Sequence, residues 1–226
     1  MRRVVRYKPR RKVSGKRPSP QKKVGHTYEY FLKYVEEHPG VRVVEMDLVE
    51  GQKGGKLLLT LLVRNMRLML AYLVDNKEML TIVTVLDRLE QTVGTGNFRE
   101  MLPLLLTDNG NEFADPAAFE YGINGEQRTR IFYCEPRMSN QKGQLEKNHE
   151  YIRYLLPKGS SFDDLTQEAV TRMTNHINST VRPGLEGRSP TDLALQCYEP
   201  KLLEKLGIER IHGDSVCLTR DLFRKG

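Results

Sequence analysis

Three acidic residues stand out because their surroundings in the sequence make a carboxylate unusual. Asp47 lies in the apolar stretch VVEMDLV (43–49), Asp108 directly follows LPLLLT (102–107), and Glu146 lies in NQKGQLEKNHEYIRYLL (140–156). A carboxylate among apolar residues is costly unless it is paired, hydrogen-bonded or bound to a cation. Two carboxylates held side by side repel each other unless a proton or a divalent cation lies between them.

Each of the three residues also has an ordinary interpretation. Asp108 begins the sequence Asp-Asn-Gly, which is typical of a turn. Asp47 suits a hydrogen-bonded residue of a strand. Glu146 belongs to a row of charged residues on one helix face, where surface ion pairs are common. That row consists of Lys142, Glu146, Glu150 and Arg153.

The elements that would position these residues begin with a short amphipathic helix over 26–40, which ends at Pro39-Gly40. Three strand-like runs follow, at 41–51, 56–65 and 68–75. Their short connections favour an antiparallel meander. The second and third runs are apolar on both faces, which predicts a sheet covered on both sides. Alternation along the first run would place Glu45 and Asp47 on the same face.

After these three runs, the sequence predicts a helix, two strands and several further helices. A helix from about residue 79 to 89 is expected to be capped by Asp75 and Glu78, and the glycine-rich VGTGNF (93–98) to be a loop. The predicted strands are LPLLLT and RIFYCE (130–135), and helices are predicted near 141–156, 166–181 and after Ser189. This order predicts an α/β domain with a mixed sheet. If the first and fourth strands are neighbours, Asp47 and Asp108 lie side by side.

Charge is distributed unevenly along the 226 residues. The first 25 residues contain eleven Lys or Arg and no acid, whereas the other 201 carry a net charge of −4. We expect this basic arm to be disordered alone and to bind a nucleic acid, since neutralising phosphates releases counterions. The alternative is a solubilising tail. Three scattered cysteines predict neither a disulfide framework nor a zinc site, and no apolar run is long enough to span a membrane.

Taken in order, the three acids resemble those of the DDE transposase and retroviral integrase superfamily. The resemblance is closest to the IS-thirty family of bacterial insertion-sequence transposases. It rests on four motifs: EMDLVEG (45–51), LTDNGNEF (106–113), NQKGQLEKNHEYIRYLLPKGSSFDDLT (140–166) and NSTVRPGLEGRSPTDL (178–193). Glu45 is a competing acid, but only Asp47 matches the first motif.

The resemblance implies a ribonuclease H-like core with a five-stranded mixed sheet flanked by helices. It implies that Asp47, Asp108 and Glu146 are both catalytic residues and ligands of two divalent cations, Mg²⁺ or Mn²⁺, which suit carboxylate oxygens. Water would cut DNA at the element end, and the freed 3′-hydroxyl would attack target DNA. The expected partners are double-stranded DNA and a second copy of the chain in a synaptic dimer.

We expect the DNA contacts to come from basic residues beside the acids and in the arm. These are Lys142, Lys147, Arg153, Arg2, Arg3, Arg6, Arg10, Arg11 and Lys12. Plain solvation is an equal alternative for Lys142 and Lys147, Arg153 is also placed to pair with Glu150, and His149 fits a core position better than a DNA contact.

The predicted domains are a disordered arm (1–25), a short helix or linker (26–40), the catalytic core (41–200) and a C-terminal tail (201–226). Family members carry an N-terminal helix-turn-helix region that we expect to be missing here, and the aromatic residue common before the third motif is replaced by Met138-Ser139-Asn140. The location expected is the bacterial cytoplasm, at the nucleoid.

Two other functions remain open. The chain could be a non-catalytic DNA-binding remnant that inhibits full-length transposase. It could also be a basic ribosome-associated protein, which would explain the arm but not the three acids.

Overall fold

The computed structural model describes residues 23–136 and 138–223, apart from the side chain of Ser139. Its five strands are β1 (Val43–Glu50), β2 (Leu57–Val63), β3 (Leu68–Val74), β4 (Leu104–Thr107) and β5 (Arg130–Tyr133). They form one sheet in the order β3-β2-β1-β4-β5. The pairs β1–β2 and β2–β3 are antiparallel, whereas β1–β4 and β4–β5 are parallel. The predicted meander and the five-stranded mixed sheet are therefore confirmed.

The helices flank this sheet on both faces. They are α1 (Tyr28–Glu37), α2 (Met79–Val93), α3 (Thr95–Met101), α4 (Pro116–Glu120), α5 (Gly143–Leu155), α6 (Gln167–Asn178), α7 (Pro190–Cys197) and α8 (Pro200–Lys205). One face packs against α2, α3 and α8 through a large apolar cluster. The other face packs against α5 and α6 over β1, β2 and β3, and against α1 over β4 and β5. Every residue of β2 is buried, as its two-sided apolar sequence predicts.

Two local predictions for the region around α2 are wrong. The segment VGTGNF was expected to be a loop, but Gly94, at φ +86°, ends α2 and the chain then enters α3. Helix α3 forms because Phe98 and Met101 both reach the core. Asp75 and Glu78 do not cap α2 through their side chains, because the Asn76 Oδ1 accepts the backbone N–H of Glu78 instead. The predicted Ser189 cap of α7 is confirmed, with Asp192 completing a capping box.

The C-terminal residues pack on both faces of the sheet. The predicted boundary at residue 200 falls at the start of α8, whose Leu202 and Leu203 belong to the large apolar cluster. Leu222 and Phe223 lie against the cluster formed by α5 and α6. Within the described residues, no helix has the length and apolar character needed to cross a bilayer.

The outer edge of β3 is covered by side-chain amides of α6. Asn178 accepts the backbone N–H of Met69 through Oδ1 at 3.0 Å and donates Nδ2 to the Met69 carbonyl at 2.8 Å. Gln167 forms the matching pair with the N–H of Leu73 and the carbonyl of Ala71. These bonds satisfy backbone groups that an edge strand would otherwise present to solvent.

The outer edge of β5 is covered in the same manner by two other segments. The Glu120 carboxylate accepts the backbone N–H of Ile131 at 3.1 Å, and the His26 carbonyl accepts that of Tyr133 at 2.8 Å. The His26 ring also lies 3.2 Å from Glu120 through Nε2. The two residues therefore join the segment before α1 to the edge of the sheet.

Candidate functional site

Asp47 lies on β1, and Asp108 directly follows β4, the parallel strand beside it. The register of β1 and β4 ends with Glu45 opposite Leu106, and each aspartate lies two residues beyond that pair. Adjacent strands are about 4.8 Å apart, and residues two apart on a strand share a face. Both aspartates are half-buried. The sheet order therefore brings the first two predicted acids to the same end of the sheet.

Asp47 has its two carboxylate oxygens in different contacts. Its Oδ1 accepts the backbone N–H of Leu48 at 2.9 Å, and its Oδ2 lies 3.1 Å from the ammonium nitrogen of Lys142. The side chain of Lys142 is only 7% exposed, against 25% for Asp47. Lys142 is the counter-ion of Asp47 in this structure, and its predicted contact with DNA stays a prediction.

A histidine of α5, His149, lies close enough to this ion pair to feel both of its charges. The His149 Nε2 is 2.9 Å from the hydroxyl of Thr60. Thr60 lies on β2, directly opposite Asp47 of β1 in the antiparallel register. Burial lowers the pKa of His149 to about 4, because desolvation disfavours the imidazolium more than the charge of Asp47 favours it. The inward-facing position predicted for His149 is therefore confirmed.

Asp108 begins a tight turn that its own side chain closes. Its Oδ1 accepts the backbone N–H of Gly110 at 2.9 Å, and the Asn109 Nδ2 donates to the carbonyl of Cys134 at 2.7 Å. Lys23 donates to the Asn109 Oδ1 at 2.9 Å and lies over the ring of Tyr133. These contacts fix the turn that follows β4 and place an ammonium group next to it.

A second ammonium reaches the same turn from the loop after β3. Lys77 lies 2.8 Å from the carboxylate of Glu112, whose side chain is 6% exposed. Burial alone would lower the pKa of Lys77, but its hydrogen bond to Glu112 and the charges of Glu112, Asp108 and Glu50 together raise it above its ordinary value. This pair was not predicted, because Lys77 and Glu112 lie in separate polar segments of the sequence.

Glu146 lies on the first turn of α5 and is exposed. Its neighbours Leu145 and Ile152 are fully buried and anchor the helix on β1 and β2. Among residues 23–136 and 138–223, no three Asp, Glu, His or Cys side chains are gathered closely enough to hold a metal ion. The sheet order therefore places Asp47 and Asp108 at the same end of the sheet, and Glu146 lies on a separate helix, in the first turn of α5.

The donor set and charge of this region suit a hard cation. Carboxylate oxygens are the preferred ligands of Mg²⁺ and Mn²⁺. The ammonium group of Lys142 lies 3.1 Å from one oxygen of Asp47, so a positive charge is present at this carboxylate. An internal cation at this carboxylate indicates that positive charge is favourable at this position.

Glu45 was predicted to share a strand face with Asp47, but the sequence indicated no structural role for it. Its carboxylate is 1% exposed, lies 2.8 Å from the Nε of Arg64, and accepts the backbone N–H of Leu145 at 2.6 Å. Arg64 also donates to the carbonyl of Gln141 at 3.1 Å. Glu45 therefore holds the start of α5, which supports the choice of Asp47 over Glu45 as the candidate ligand.

The fourth motif braces the same helix from its other side. The guanidinium of Arg182, buried at 3% exposure, lies 3.5 Å from the ring centroid of Tyr151 on α5. Its Nη2 donates to the carbonyl of Ile177. Sequence similarity alone had assigned no physical role to this segment, and the structure shows that its arginine packs against α5.

The remaining predicted DNA contacts differ in their surroundings. Lys147 is exposed, whereas Arg153 is half-buried and donates to the carbonyl of Glu50 at 3.0 Å. That contact replaces the pairing with Glu150 considered for Arg153. The arm residues lie outside the described part of the chain, namely Arg2, Arg3, Arg6, Arg10, Arg11 and Lys12.

Comparisons with known proteins agree with this architecture. No protein-family profile matches the chain. The protein named "Putative integrase ORF3" of Spiroplasma virus SpV1-R8A2 B is 26% identical over 153 residues, which are 68% of this chain and 45% of that protein. The transposase for insertion sequence element IS4351 of Bacteroides fragilis is 26% identical over 94 residues, 42% of this chain and 28% of that protein. The chain thus matches less than half the length of these relatives.

A solved structure shows the same fold. It is a cryo-electron microscopy structure of the simian T-cell lymphotropic virus intasome in complex with PP2A regulatory subunit B56 gamma. The TM-score is 0.53 at 16% identity, over 68% of this chain and 54% of that chain. The predicted ribonuclease H-like fold is confirmed. The chain is therefore similar in sequence to transposases and integrases. Its assignment to the IS-thirty family stays a prediction.

Proposed function

We propose that this chain is a DDE-type transposase catalytic core of the IS-thirty kind, which cuts DNA at insertion-sequence ends and joins the cut ends to target DNA. The observation that carries the proposal is that Asp47 of β1 and Asp108, directly after β4, each lie two residues beyond the same pair of the parallel register. The ion pair between Asp47 and Lys142 supports it, because a cation is already accommodated there. The similarity to an integrase and a transposase supports the same conclusion.

Asp47, Asp108 and Glu146 would hold two Mg²⁺ or Mn²⁺ ions. When bound, such ions activate an attacking oxygen and stabilise the leaving oxygen of an in-line phosphoryl displacement. Asp47 and Asp108 are fixed by the sheet, whereas Glu146 approaches from α5.

The reaction needs no covalent bond between protein and DNA. A water oxygen attacks the phosphodiester at the element end, and the 3′-oxygen leaves as a hydroxyl. That hydroxyl then attacks a target phosphodiester, forming one new bond and releasing one strand end. The protein's task is to hold the two DNA segments in line, which is the main contribution of such enzymes.

DNA would be held by basic residues around the acids. Exposed Lys147 is suited to a phosphate, and Lys142 becomes available if it leaves Asp47. The six cationic arm residues named above would follow the DNA backbone, and Lys23 places the start of the described chain beside the Asp108 turn. We further propose a dimer that holds two DNA ends, acting at the nucleoid in the bacterial cytoplasm.

The proposal is tested by DNA cleavage and joining with purified protein. Duplexes from the DNA flanking the coding sequence are incubated with Mn²⁺, and nicked and joined products are separated on denaturing gels. Asp47→Asn, Asp108→Asn and Glu146→Gln should each abolish both products while leaving DNA binding within about threefold. Glu150→Gln is the matched control, since Glu150 is an exposed carboxylate on the same helix, and it should retain activity.

The same assay separates the alternatives. DNA binding without any product in the wild-type protein would support the non-catalytic DNA-binding function instead. A salt titration that favours ribosomal RNA over duplex DNA would support the ribosome-associated function. Products that persist in Asp108→Asn would disprove the assignment of the acids.

A further inference from the structure

The ion pair between Lys142 and Asp47 has a consequence for the loading of metal. One oxygen of Asp47 is already bonded to the backbone of Leu48, and the other faces the Lys142 ammonium. A Mg²⁺ or Mn²⁺ ligand oxygen lies about 2.1 Å from its ion. An ion that close to Oδ2 would face an ammonium group 3.1 Å from the same oxygen, and the two positive charges would repel strongly.

Lys142 is also poorly exposed, which limits where its charge can be compensated. Its side chain is 7% exposed, and a buried ammonium is costly without a partner. The residue ends the short 3₁₀ segment Ser139–Lys142, directly before α5. Rotation of its flexible side chain would carry the ammonium outward, where a DNA phosphate is an alternative anion.

We propose that Lys142 is an internal counter-ion that keeps Asp47 from binding a divalent cation until a DNA phosphate draws the ammonium away. This rests on the proposed function for its metal and DNA partners and adds how their binding is linked. Metal and DNA each favour the released position of Lys142, so each tightens the binding of the other, and such a linkage is reciprocal. Without DNA, the chain binds metal weakly and is held inactive.

The test compares Mn²⁺ binding of variants in the absence of DNA. Free Mn²⁺ is titrated by electron paramagnetic resonance for wild type, Lys142→Met and Lys147→Met. Lys147 is a matched control because it lies five residues away, is exposed and has no ion pair with Asp47 among the described residues. Lys142→Met should bind Mn²⁺ about tenfold more tightly, within the roughly 5- to 150-fold range of such couplings. Lys147→Met should stay within about twofold of wild type.

Two further measurements make the result specific to this ion pair. Adding Asp47→Asn to Lys142→Met should remove the gain, because the effect acts through that carboxylate. In the wild-type protein, Mn²⁺ should increase acetylation of Lys142 by an amine-reactive reagent, read by mass spectrometry, and leave Lys147 unchanged. The labelling experiment needs no variant and therefore holds even if Lys142→Met does not fold.

The inference fails if Lys142→Met binds Mn²⁺ no more tightly than wild type, if Lys147→Met shows the same gain, or if Mn²⁺ leaves the labelling of Lys142 unchanged. The cleavage assay above reports separately on the proposed function. Mn²⁺-dependent joining with no effect of Lys142 would overturn the inference alone. Tighter Mn²⁺ binding by Lys142→Met in a protein that never cuts DNA would overturn the proposed function and retain the inference.

Discussion

The buried carboxylate of Glu45 accepts the backbone N–H of Leu145, the residue directly before Glu146. The same carboxylate is paired with Arg64, which in turn donates to the carbonyl of Gln141. Glu45 on β1 and Arg64 directly after β2 therefore hold the start of α5, the helix that carries the third predicted acid. On the far side of α5, Arg182 packs on Tyr151. The position of Glu146 is thus determined by residues outside the candidate site.

Removing Arg64 should destabilise the fold and disturb α5. Arg64→Met leaves the Glu45 carboxylate, 1% exposed, with the Leu145 amide as its remaining described polar contact. Breaking a buried pair typically costs about 3–5 kcal/mol, and we expect the lower value because Arg64 is 32% exposed. Urea unfolding measures this loss. Arg99→Met is the control, since both Arg99 and Glu126 are exposed, and it should cost less than about 1 kcal/mol. Equal losses in the two variants would contradict a stabilising role of the buried pair between Glu45 and Arg64.

A glycine at the end of β1 should not tolerate a methyl group. A Cβ added at Gly51 would overlap the backbone carbonyl oxygen of Ser160 and lie 2.9 Å from a ring carbon of Phe162. Overpacking of this kind costs about 1–3 kcal/mol, so Gly51→Ala should lower the free energy of unfolding by that amount. Gly96→Ala is the control, because a Cβ added at Gly96 in α3 would meet no atom of another segment within 4 Å. This variant should be neutral or slightly stabilising. A Gly51→Ala protein as stable as wild type would show that the chain at Gly51 and the segment of Ser160 and Phe162 separate easily.

The contact between His26 and Glu120 should make stability depend on pH. The hydrogen bond to Glu120 raises the pKa of His26 above its ordinary value, against the opposing effects of burial and of Arg130. A raised folded-state pKa adds stability that is fully present below the unfolded pKa of about 6.5 and is lost as the pH rises through the folded value. Wild type should therefore exceed His26→Asn in melting temperature by more at pH 5.5 than at pH 8.5. A difference that is constant across this range would show that the imidazolium is not involved.

The amide of Asn178 should contribute strongly to the stability of β3. Asn178→Leu leaves the buried N–H and carbonyl of Met69 without their described side-chain partner. Each unsatisfied buried group costs about 1–3 kcal/mol, so we expect a loss of about 3 kcal/mol in urea unfolding. Gln167→Leu should cost about 1 kcal/mol, because its bonds to β3 lie nearer to solvent. A larger loss for Gln167→Leu than for Asn178→Leu would contradict this order.

The sequence predicted the sheet well because strand patterns and short connections are local signals. The apolar runs of β2 and β3 indicated burial on both faces, and the polar turn after LPLLLT identified the end of β4. Helix α3 was missed because Gly94 and Gly96 look like loop residues, whereas the burial of Phe98 and Met101 depends on distant parts of the chain. The helix α4 carries too few residues to show a periodic pattern.

The sequence predicted the acidic residues of the candidate site but not the residues that pair with them. The types and order of Asp47, Asp108 and Glu146 are readable in the sequence, but their counter-ions are not. Lys142 is 95 residues from Asp47 and Lys77 is 35 residues from Glu112, and no local pattern indicates either pairing. Thr60 gave a usable signal, since it is the single polar residue of β2. Reading across the predicted hairpin would have placed it opposite Asp47.

The bonds along the two rims of the sheet limit how copies of this protein can join. At β3 the amides of Gln167 and Asn178 occupy the outward backbone groups, and at β5 Glu120 and His26 do so. A strand from another molecule would have to displace these groups before it could extend the array, so growth into fibrils by strand addition is opposed at both ends. Contacts between protomers are therefore expected through helical surfaces and loops.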